Sequence, residues 1–341
     1  MALLWGLFVL GTTAAIGAGA AGQLLDSSLA ARSVNLIARQ EYDAALEWCD
    51  SLLQTYPELP DGYFIRATIL YSRGIDFEDE VDAPAAAAAN DSVQAICSRS
   101  LNAGAAAPWL YYYRGTVLGY ESYEHFRQGR YLKGYLVGVE AARDFRAALA
   151  LDSTYYDACL GLGTFLYYRS AYAGFLREMG IFGDHRAEGR ALIARSAAGG
   201  SFSRLPAESA LAWIDIDEQR YDSAAVRARD LLERYPGNRS FRWCLGRALI
   251  GLERWSDAAP VYGELLASLR AEPRNNYFNE IGCLHALARC YVNLQDWESA
   301  LKVSGEALAL SPAPDIAQRK ADDLKRLRQS KAQALKQTKS R

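Results

Sequence analysis

Apolar and small residues recur along most of the chain with the period of helices rather than of strands. Long stretches of this kind are joined by short polar turns, and no segment alternates residue by residue as a half-buried strand does. Proline, which breaks helices, accounts for only 10 of the 341 residues. The pattern therefore predicts an all-α protein.

Four segments of the chain align with one another without gaps: residues 26–57, 205–236, 239–270 and 281–312. The eighth position of each segment is small: Ser33, Ala212, Gly246 and Ala288. The seventeenth position is aromatic and the twentieth is alanine: Tyr42, Tyr221, Trp255 and Trp297, then Ala45, Ala224, Ala258 and Ala300. Because two antiparallel helices approach closely only where small side chains meet, each segment predicts a helix hairpin whose second helix opens with the aromatic residue.

The phrase Tyr-Asp-x-Ala-x6-Leu-Leu-x-x-Tyr-Pro begins at Tyr42 and again at Tyr221. With the small and aromatic positions above, it resembles the tetratricopeptide repeat. A fifth unit contains Phe145 and Ala148. The resemblance implies a right-handed α-solenoid of helix hairpins over residues 23–312, in which each hairpin buries its apolar stripe against its neighbours.

Three parts of this array depart from the regular unit, at about residues 74–90, 116–140 and 170–200. The acidic residues between 76 and 82 predict a solvated loop, and the alanines after Pro84 predict the start of a helix. The second irregular part predicts a lengthened hairpin, and the third an irregular connector before a helix from about Asp184. Residues 313–341 predict a basic capping helix and tail, with a thin apolar stripe that faces the array: Ile316, Leu324, Leu327 and Leu335.

The first 25 residues carry no charged side chain. An apolar stretch from Leu3 to Leu10 precedes Ala18-Gly19-Ala20, a small-x-small pattern typical of a signal-peptidase site. Residues 1–22 are therefore predicted to be an export signal, or alternatively an uncleaved membrane anchor. The expected location is the bacterial periplasm or cell envelope, with inner-membrane anchoring through residues 1–25 as the alternative.

The charge and the cysteine content of the chain limit the kinds of partner and metal site that can be expected. The formal net charge is −2, so no overall positive field would attract nucleic acid, although residues 319–341 alone carry nine Lys/Arg against two Asp. The six cysteines include no CxxC pair, which argues against a zinc ribbon and favours buried thiols. In an exported protein one or two disulfides are possible, and the sequence does not fix their pairing.

Motifs of catalysis and cofactor binding are missing from the sequence. The three histidines, His125, His185 and His285, are far apart and form no HExxH motif, so each is predicted to be a surface or groove residue rather than a metal ligand. Gly199-Gly200-Ser201 lacks the lysine of a phosphate loop and predicts a helix end. We expect no catalytic residue, no cofactor and no bound metal.

The family resemblance implies a binding groove, because positions 5, 9 and 12 of each first helix line the concave side of such solenoids. Carried onto this chain, these positions give the candidate peptide-binding residues Tyr112, Thr116, Tyr167, Trp213, Trp243, Arg247, His285 and Arg289, with Leu160, Thr164, Ser209, Ile216, Ile250 and Val292 beside them. Aromatic residues bind apolar or proline-rich peptide, and arginine binds carboxylates. For each residue the alternative is simple packing between helices.

The sequence thus favours a non-catalytic scaffold that binds a protein or peptide partner. We expect the protein to bind no nucleic acid and to contact membrane, if at all, only through an uncleaved N-terminus. One alternative is a structural subunit of a larger envelope assembly. A third and weaker hypothesis is an enzyme whose pocket is built by residues 120–183.

Overall fold

The computed structural model describes residues 27–172 and 183–339. Within these ranges the chain forms sixteen α-helices and no strand, so the all-α prediction is confirmed. The proposed N-terminal signal and most of the connector after residue 172 lie outside the described residues. The helices are α1 (Ser27–Ala38), α2 (Tyr42–Thr55), α3 (Pro60–Phe77), α4 (Ala83–Asn102), α5 (Pro108–Arg127), α6 (Tyr131–Leu151), α7 (Asp157–Tyr172), α8 (Arg186–Gly199), α9 (Arg204–Asp217), α10 (Tyr221–Arg234), α11 (Arg239–Gly251), α12 (Trp255–Ala271), α13 (Phe278–Asn293), α14 (Trp297–Ala309), α15 (Pro314–Arg319) and α16 (Ala321–Lys339).

The first fourteen helices pair into seven consecutive hairpins, from α1/α2 to α13/α14. The first helices of neighbouring hairpins contact one another, at α3–α5, α5–α7, α7–α9 and α9–α11, so they form the inner layer of a solenoid. The second helices form the outer layer. Helix α16 packs against both α13 and α14 and caps the array, as the sequence predicts.

Small residues make the close helix contacts, as the repeat register predicts. The alanines at position 20, Ala45, Ala224, Ala258 and Ala300, are all fully buried. The aromatic residues at position 17 are the first residues of α2, α10, α12 and α14. Helices α7 and α8 approach backbone to backbone, since a Cβ added to Gly163 would lie 2.5 Å from the carbonyl oxygen of Gly189. Helix packing in this chain therefore rests on the positions that resist bulk.

The middle hairpin is the long one. Helices α5 and α6 have 20 and 21 residues, whereas α9 and α10 have 14 each. Helices α5 and α6 approach closely at Gly115. A Cβ added to this glycine would lie 3.0 Å from the Phe145 ring and 3.2 Å from the Ala141 carbonyl oxygen. The lengthened middle of the solenoid is thus confirmed.

The prediction of a solvated acidic loop at residues 76–82, which we name the closing loop, is wrong. Asp76 forms an ion pair with Arg239, and their side chains are only 9% and 5% exposed. Arg274 binds Asp79 at 2.8 Å and Asp82 at 2.9 Å. These arginines lie at the start of α11 and in the turn after α12, so the acidic residues join the early hairpins to the late ones.

Further contacts reinforce this junction. The Phe77 ring lies between the guanidinium groups of Arg239 and Arg274, at 5.4 and 5.0 Å from its centroid. Asn279 donates a hydrogen bond to the Asp76 carbonyl oxygen at 2.8 Å. Beside it, α1 and the start of α11 share an apolar cluster, and Asn238 Nδ2 donates to the Ala38 carbonyl oxygen at 2.8 Å. The early hairpins therefore contact the late hairpins directly, and this contact closes the superhelix.

All six cysteines are buried free thiols, without a disulfide in the structure.

In the cap, Ile316 and Leu327 face the array as predicted, but Leu335 is 40% exposed and Ala334 takes the buried position beside it. Among the described residues, no helix is both long enough and apolar enough to span a bilayer.

Candidate functional site

The candidate residues of the last three hairpins form one accessible surface. Positions 5, 9 and 12 of α9, α11 and α13 lie on the inner layer, and every one of these nine side chains is exposed or half-buried. We name this surface the open face: Ser209, Trp213, Ile216, Trp243, Arg247, Ile250, His285, Arg289 and Val292. Five of its members are apolar, and two are arginines that extend into solvent.

Both exposed arginines of the open face lie over tryptophan rings. The Arg247 guanidinium lies 5.6 Å from the Trp213 ring centroid, on the neighbouring first helix. The Arg289 guanidinium lies 5.3 Å from the ring of Trp255, the first residue of α12. Stacking of this kind orients the planar guanidinium and leaves its N–H groups available to a carboxylate.

A carboxylate and two tyrosines extend this surface towards α7. Burial raises the pKa of Asp217, against the lowering effect of Arg247 nearby, and Tyr168 hydrogen-bonds to it. Tyr168 stacks on Tyr172, whose ring is 82% exposed. The repeat register did not select Asp217, Tyr168 or Tyr172, because they lie at the ends of their helices and outside positions 5, 9 and 12.

Trp243 and His285 occupy the other side of the open face. The Trp243 ring meets Tyr262 edge to face, with 5.6 Å between the centroids, and is fixed by this contact. His285 Nδ1 lies 3.0 Å from an Asp323 carboxylate oxygen on the capping helix. This hydrogen bond, together with Lys320, lowers the pKa of Asp323 to about 2. His285 therefore links the array to its cap.

The structure places two of the candidate groove residues in the core instead. Tyr112 is 5% exposed and contacts Phe64 and Tyr155, and Tyr167 is 2% exposed. Neither side chain can line an accessible groove, so these two assignments are wrong. The half-buried Thr116 hydroxyl donates to the Tyr112 carbonyl oxygen at 2.8 Å and is used within its own helix.

The inner side of the early hairpins is filled by aromatic packing, which explains the burial of Tyr112. Phe64 on α3 stacks on Tyr113 with 4.1 Å between ring centroids. Phe202, in the turn between α8 and α9, lies 5.2 Å from the Phe64 ring. The Phe202 backbone N–H donates a hydrogen bond to the buried Asp157 carboxylate at 2.9 Å. This hydrogen bond fixes the turn against the inner side of the early hairpins. Of the candidate positions on α5 and α7, Tyr112 and Tyr167 are therefore buried, whereas Thr116, Leu160 and Thr164 are half-buried.

The histidines show no sign of metal chemistry. His125 is buried, contrary to the prediction of a surface or groove residue, and desolvation lowers its pKa. His185 pairs with Glu188 at 2.8 Å on the surface. No group of three or more His, Cys, Asp or Glu side chains suited to a metal ion occurs in the described ranges.

Near the lengthened hairpin, a small cleft of about 20 Å³ is lined partly by carboxylates. Two of them, Asp79 and Asp82, already bind Arg274. Burial raises the pKa of a third, Glu124. Asp79 and Asp82 thus serve the closing contacts, and Glu80 in the same cleft pairs with Arg127 of the lengthened hairpin.

The comparisons with known proteins agree with this architecture. A family model described as "Tetratricopeptide repeat" matches residues 283–318. Among curated proteins, no sequence matches the chain. A similar solved structure is that of Cut9, from the APC/C hetero-tetramer Cut9-Hcn1. It shares 12% sequence identity with this chain at a TM-score of 0.56, and the matched region covers 92% of this chain and 50% of the Cut9 chain.

Two other similar structures have lower TM-scores. MamA AMB-1 is 22% identical with a TM-score of 0.38, covering 56% of this chain and 95% of its own. The C-terminal part of a TPR repeat-containing protein from Cytophaga hutchinsonii is 16% identical with a TM-score of 0.42, covering 85% and 98%. At these identities the likenesses concern the fold. With its repeat register and seven stacked hairpins, the chain has the fold of a tetratricopeptide-repeat solenoid, and the family model identifies one such repeat at residues 283–318.

Proposed function

We propose that this protein is a non-catalytic scaffold that binds a protein or peptide partner on the open face. The observation that carries the proposal is that all nine positions on three successive first helices are exposed or half-buried, whereas Tyr112 and Tyr167 on the earlier first helices are buried. Arg247 and Arg289 extend into solvent, which arginines needed only for packing between the helices would not do. Tetratricopeptide-repeat proteins generally mediate protein–protein interactions, which agrees with this role.

The chemistry of the open face indicates what it binds. Trp213, Trp243 and Ile250 offer apolar and aromatic area that is already held by neighbouring side chains, so a ligand loses little rotational freedom there. Arg247 and Arg289 offer two charged donor groups on consecutive hairpins. The expected ligand is therefore an extended peptide segment with apolar side chains and at least one carboxylate.

The proposed location is the bacterial cell envelope. It is supported by the uncharged N-terminal sequence, in which an apolar stretch precedes small residues. Inner-membrane anchoring by residues 1–25 remains the alternative within this proposal. A role as structural subunit of a larger assembly is the second candidate, and Cut9, solved within a hetero-tetramer with Hcn1, is a precedent for this fold in such a role.

Affinity purification with crosslinking from native envelope fractions tests the proposal. We expect the wild-type chain to recover a partner and the double variant Trp213→Ala/Arg247→Ala to recover at least about tenfold less, since truncated tryptophan and arginine anchors commonly cost 2 kcal/mol or more. The matched control is Val226→Ala/Arg326→Ala, which removes an apolar and a basic side chain that are both exposed elsewhere. Equal recovery by the two variants would refute binding through the open face.

A further inference from the structure

The tip of the lengthened α5/α6 hairpin, residues 126–136, carries a cluster of exposed apolar side chains. Tyr131 is 69% exposed, Leu132 74%, Leu136 54% and Phe126 43%. These residues lie on the last turn of α5 and the first two turns of α6, so they share one end of the hairpin. Large apolar side chains that gather at a surface point mark an interaction site more often than scattered ones do.

The helices are joined firmly up to this tip. Ser122 Oγ donates to the Gly134 carbonyl oxygen at 2.7 Å, and a Cβ on Gly134 would lie 3.0 Å from the Phe126 ring. The turn itself is closed by the Arg130 N–H, which donates to the His125 carbonyl oxygen at 2.8 Å, and by Gly129 with a φ of +73°. The apolar side chains therefore belong to an ordered projection.

The charged residues of the tip segment itself are all basic. Residues 125–139 contain Arg127, Arg130 and Lys133 but neither Asp nor Glu, in a chain with 40 acidic and 38 basic residues. Arg127 is engaged with Glu80 at 3.4 Å and lies near Glu124. Arg130 and Lys133 are exposed on either side of Tyr131 and Leu132, and Arg130 bonds only a neutral neighbour, Gln128.

We propose that this tip docks onto a bilayer surface that carries anionic headgroups. An apolar hairpin end flanked by cations is suited to a flat anionic surface. Tyrosine, phenylalanine and leucine flanked by lysine and arginine are the residues that occupy the interface between lipid and water. The two free cations complement anionic headgroups. This contact is independent of both the N-terminal segment and the open face.

The full chain with a single introduced thiol tests the proposal. Burial raises the pKa of the native thiols, for example to about 12 for Cys49, Cys97 and Cys244, so an environment-sensitive dye reacts selectively with a Leu132→Cys variant. We expect its fluorescence to rise about threefold with vesicles containing about 30% anionic lipid, and to stay unchanged with neutral vesicles. The matched control carries the dye at Val226→Cys, a position 56% exposed on α10.

The substitutions Arg130→Gln and Lys133→Gln are then added to the labelled variant. We expect them to raise the lipid concentration needed for the fluorescence response at least about tenfold, because each cation near an anionic surface contributes to partitioning. The proposal is overturned if the chain sediments with anionic vesicles while the dye at position 132 stays in water. That result would assign membrane binding to another segment. It is also overturned if the dye is already shielded before vesicles are added, through self-association or cover by another part of the chain.

Discussion

Arg239 and Asp76, 163 positions apart in the sequence, form a nearly fully buried ion pair that joins the second hairpin to the sixth. Arg239 also binds Glu272, at 2.5 Å, and Tyr42 donates to Asp76 at 3.2 Å. The pair thus lies at the centre of the closure of the superhelix.

Breaking this pair should destabilise the protein strongly. Arg239→Met leaves Asp76 buried without its cationic partner, and we expect the free energy of unfolding in urea to fall by about 3–5 kcal/mol. The comparison is Arg254→Met, which breaks an ion pair with Asp257 whose side chains are 50% and 45% exposed. That variant should lose less than about 1 kcal/mol. Similar small losses in both variants would contradict a closed superhelix.

Two glycine substitutions should have effects of opposite sign. In Gly163→Ala the new methyl group meets the Gly189 carbonyl oxygen, a backbone atom that cannot rotate away, so we expect a loss of about 1–3 kcal/mol or more. In Gly305→Ala, within α14, the methyl group meets nothing within 4 Å. That change should stabilise the helix by about 0.5–1 kcal/mol. Thermal unfolding of the two variants checks both, and stabilisation by Gly163→Ala would refute the close approach of α7 and α8.

The close packing within the regular hairpins could be predicted from sequence because its signal is local. Small residues recur at a fixed distance from the aromatic residue that begins each second helix. In antiparallel helices this spacing places the small residues at the helix contact. The closing loop has no such signal. An acidic run such as that from Asp76 to Asp82 has the composition of a solvated loop, and its arginine partners lie at positions 239, 274 and 319. Only the curvature of the whole array brings them together.

The candidate groove shows the same limit. Register alone placed Tyr112 and Tyr167 with Trp213 and Arg247, since all four lie on first helices. The burial of Tyr112 results from its contacts with Phe64 and Tyr155 and from the Phe202 turn that packs on Phe64, contacts that the repeat register does not give. A repeat pattern therefore predicts which layer a residue joins, and it does not predict what else fills that layer.

The native thiols should be unreactive until the chain unfolds. Burial raises the pKa of Cys49, Cys97 and Cys244 to about 12 and that of Cys290 to about 11, so almost no thiolate exists at pH 8. With a colourimetric thiol reagent we expect no fast-reacting cysteine in the native protein and all six after denaturation. Fast reaction of one or more native thiols would show that the hairpins are packed differently.

The cap should be acid-sensitive through Asp323. Its carboxyl has a pKa of about 2 in the folded chain, against an ordinary 3.8, chiefly because of the hydrogen bond to His285. A carboxyl with a depressed pKa stabilises the fold above its ordinary pKa and loses that contribution as the pH falls towards 2. We expect Asp323→Asn to lower stability by about 1 kcal/mol at pH 6, after allowance for partial exposure, and by almost nothing at pH 2.

Urea unfolding of the wild-type chain and Asp323→Asn at both pH values measures that difference. Asp322→Asn, which changes an exposed carboxyl on the same turn, is the control and should show no such pH dependence. A difference between wild type and Asp323→Asn that is the same at pH 6 and pH 2 would rule out the ion pair between array and cap.

The central claim is that the open face of α9, α11 and α13 is where this solenoid holds its partner. The most direct measurement places a photo-crosslinking amino acid at Trp213, Trp243 or Ile250 in cells that express the full chain, with Val226 on the outer layer as the control position. We predict a discrete protein adduct from the open-face positions and none from position 226. Adducts that are missing at all three open-face positions, or that appear equally at position 226, would contradict the claim.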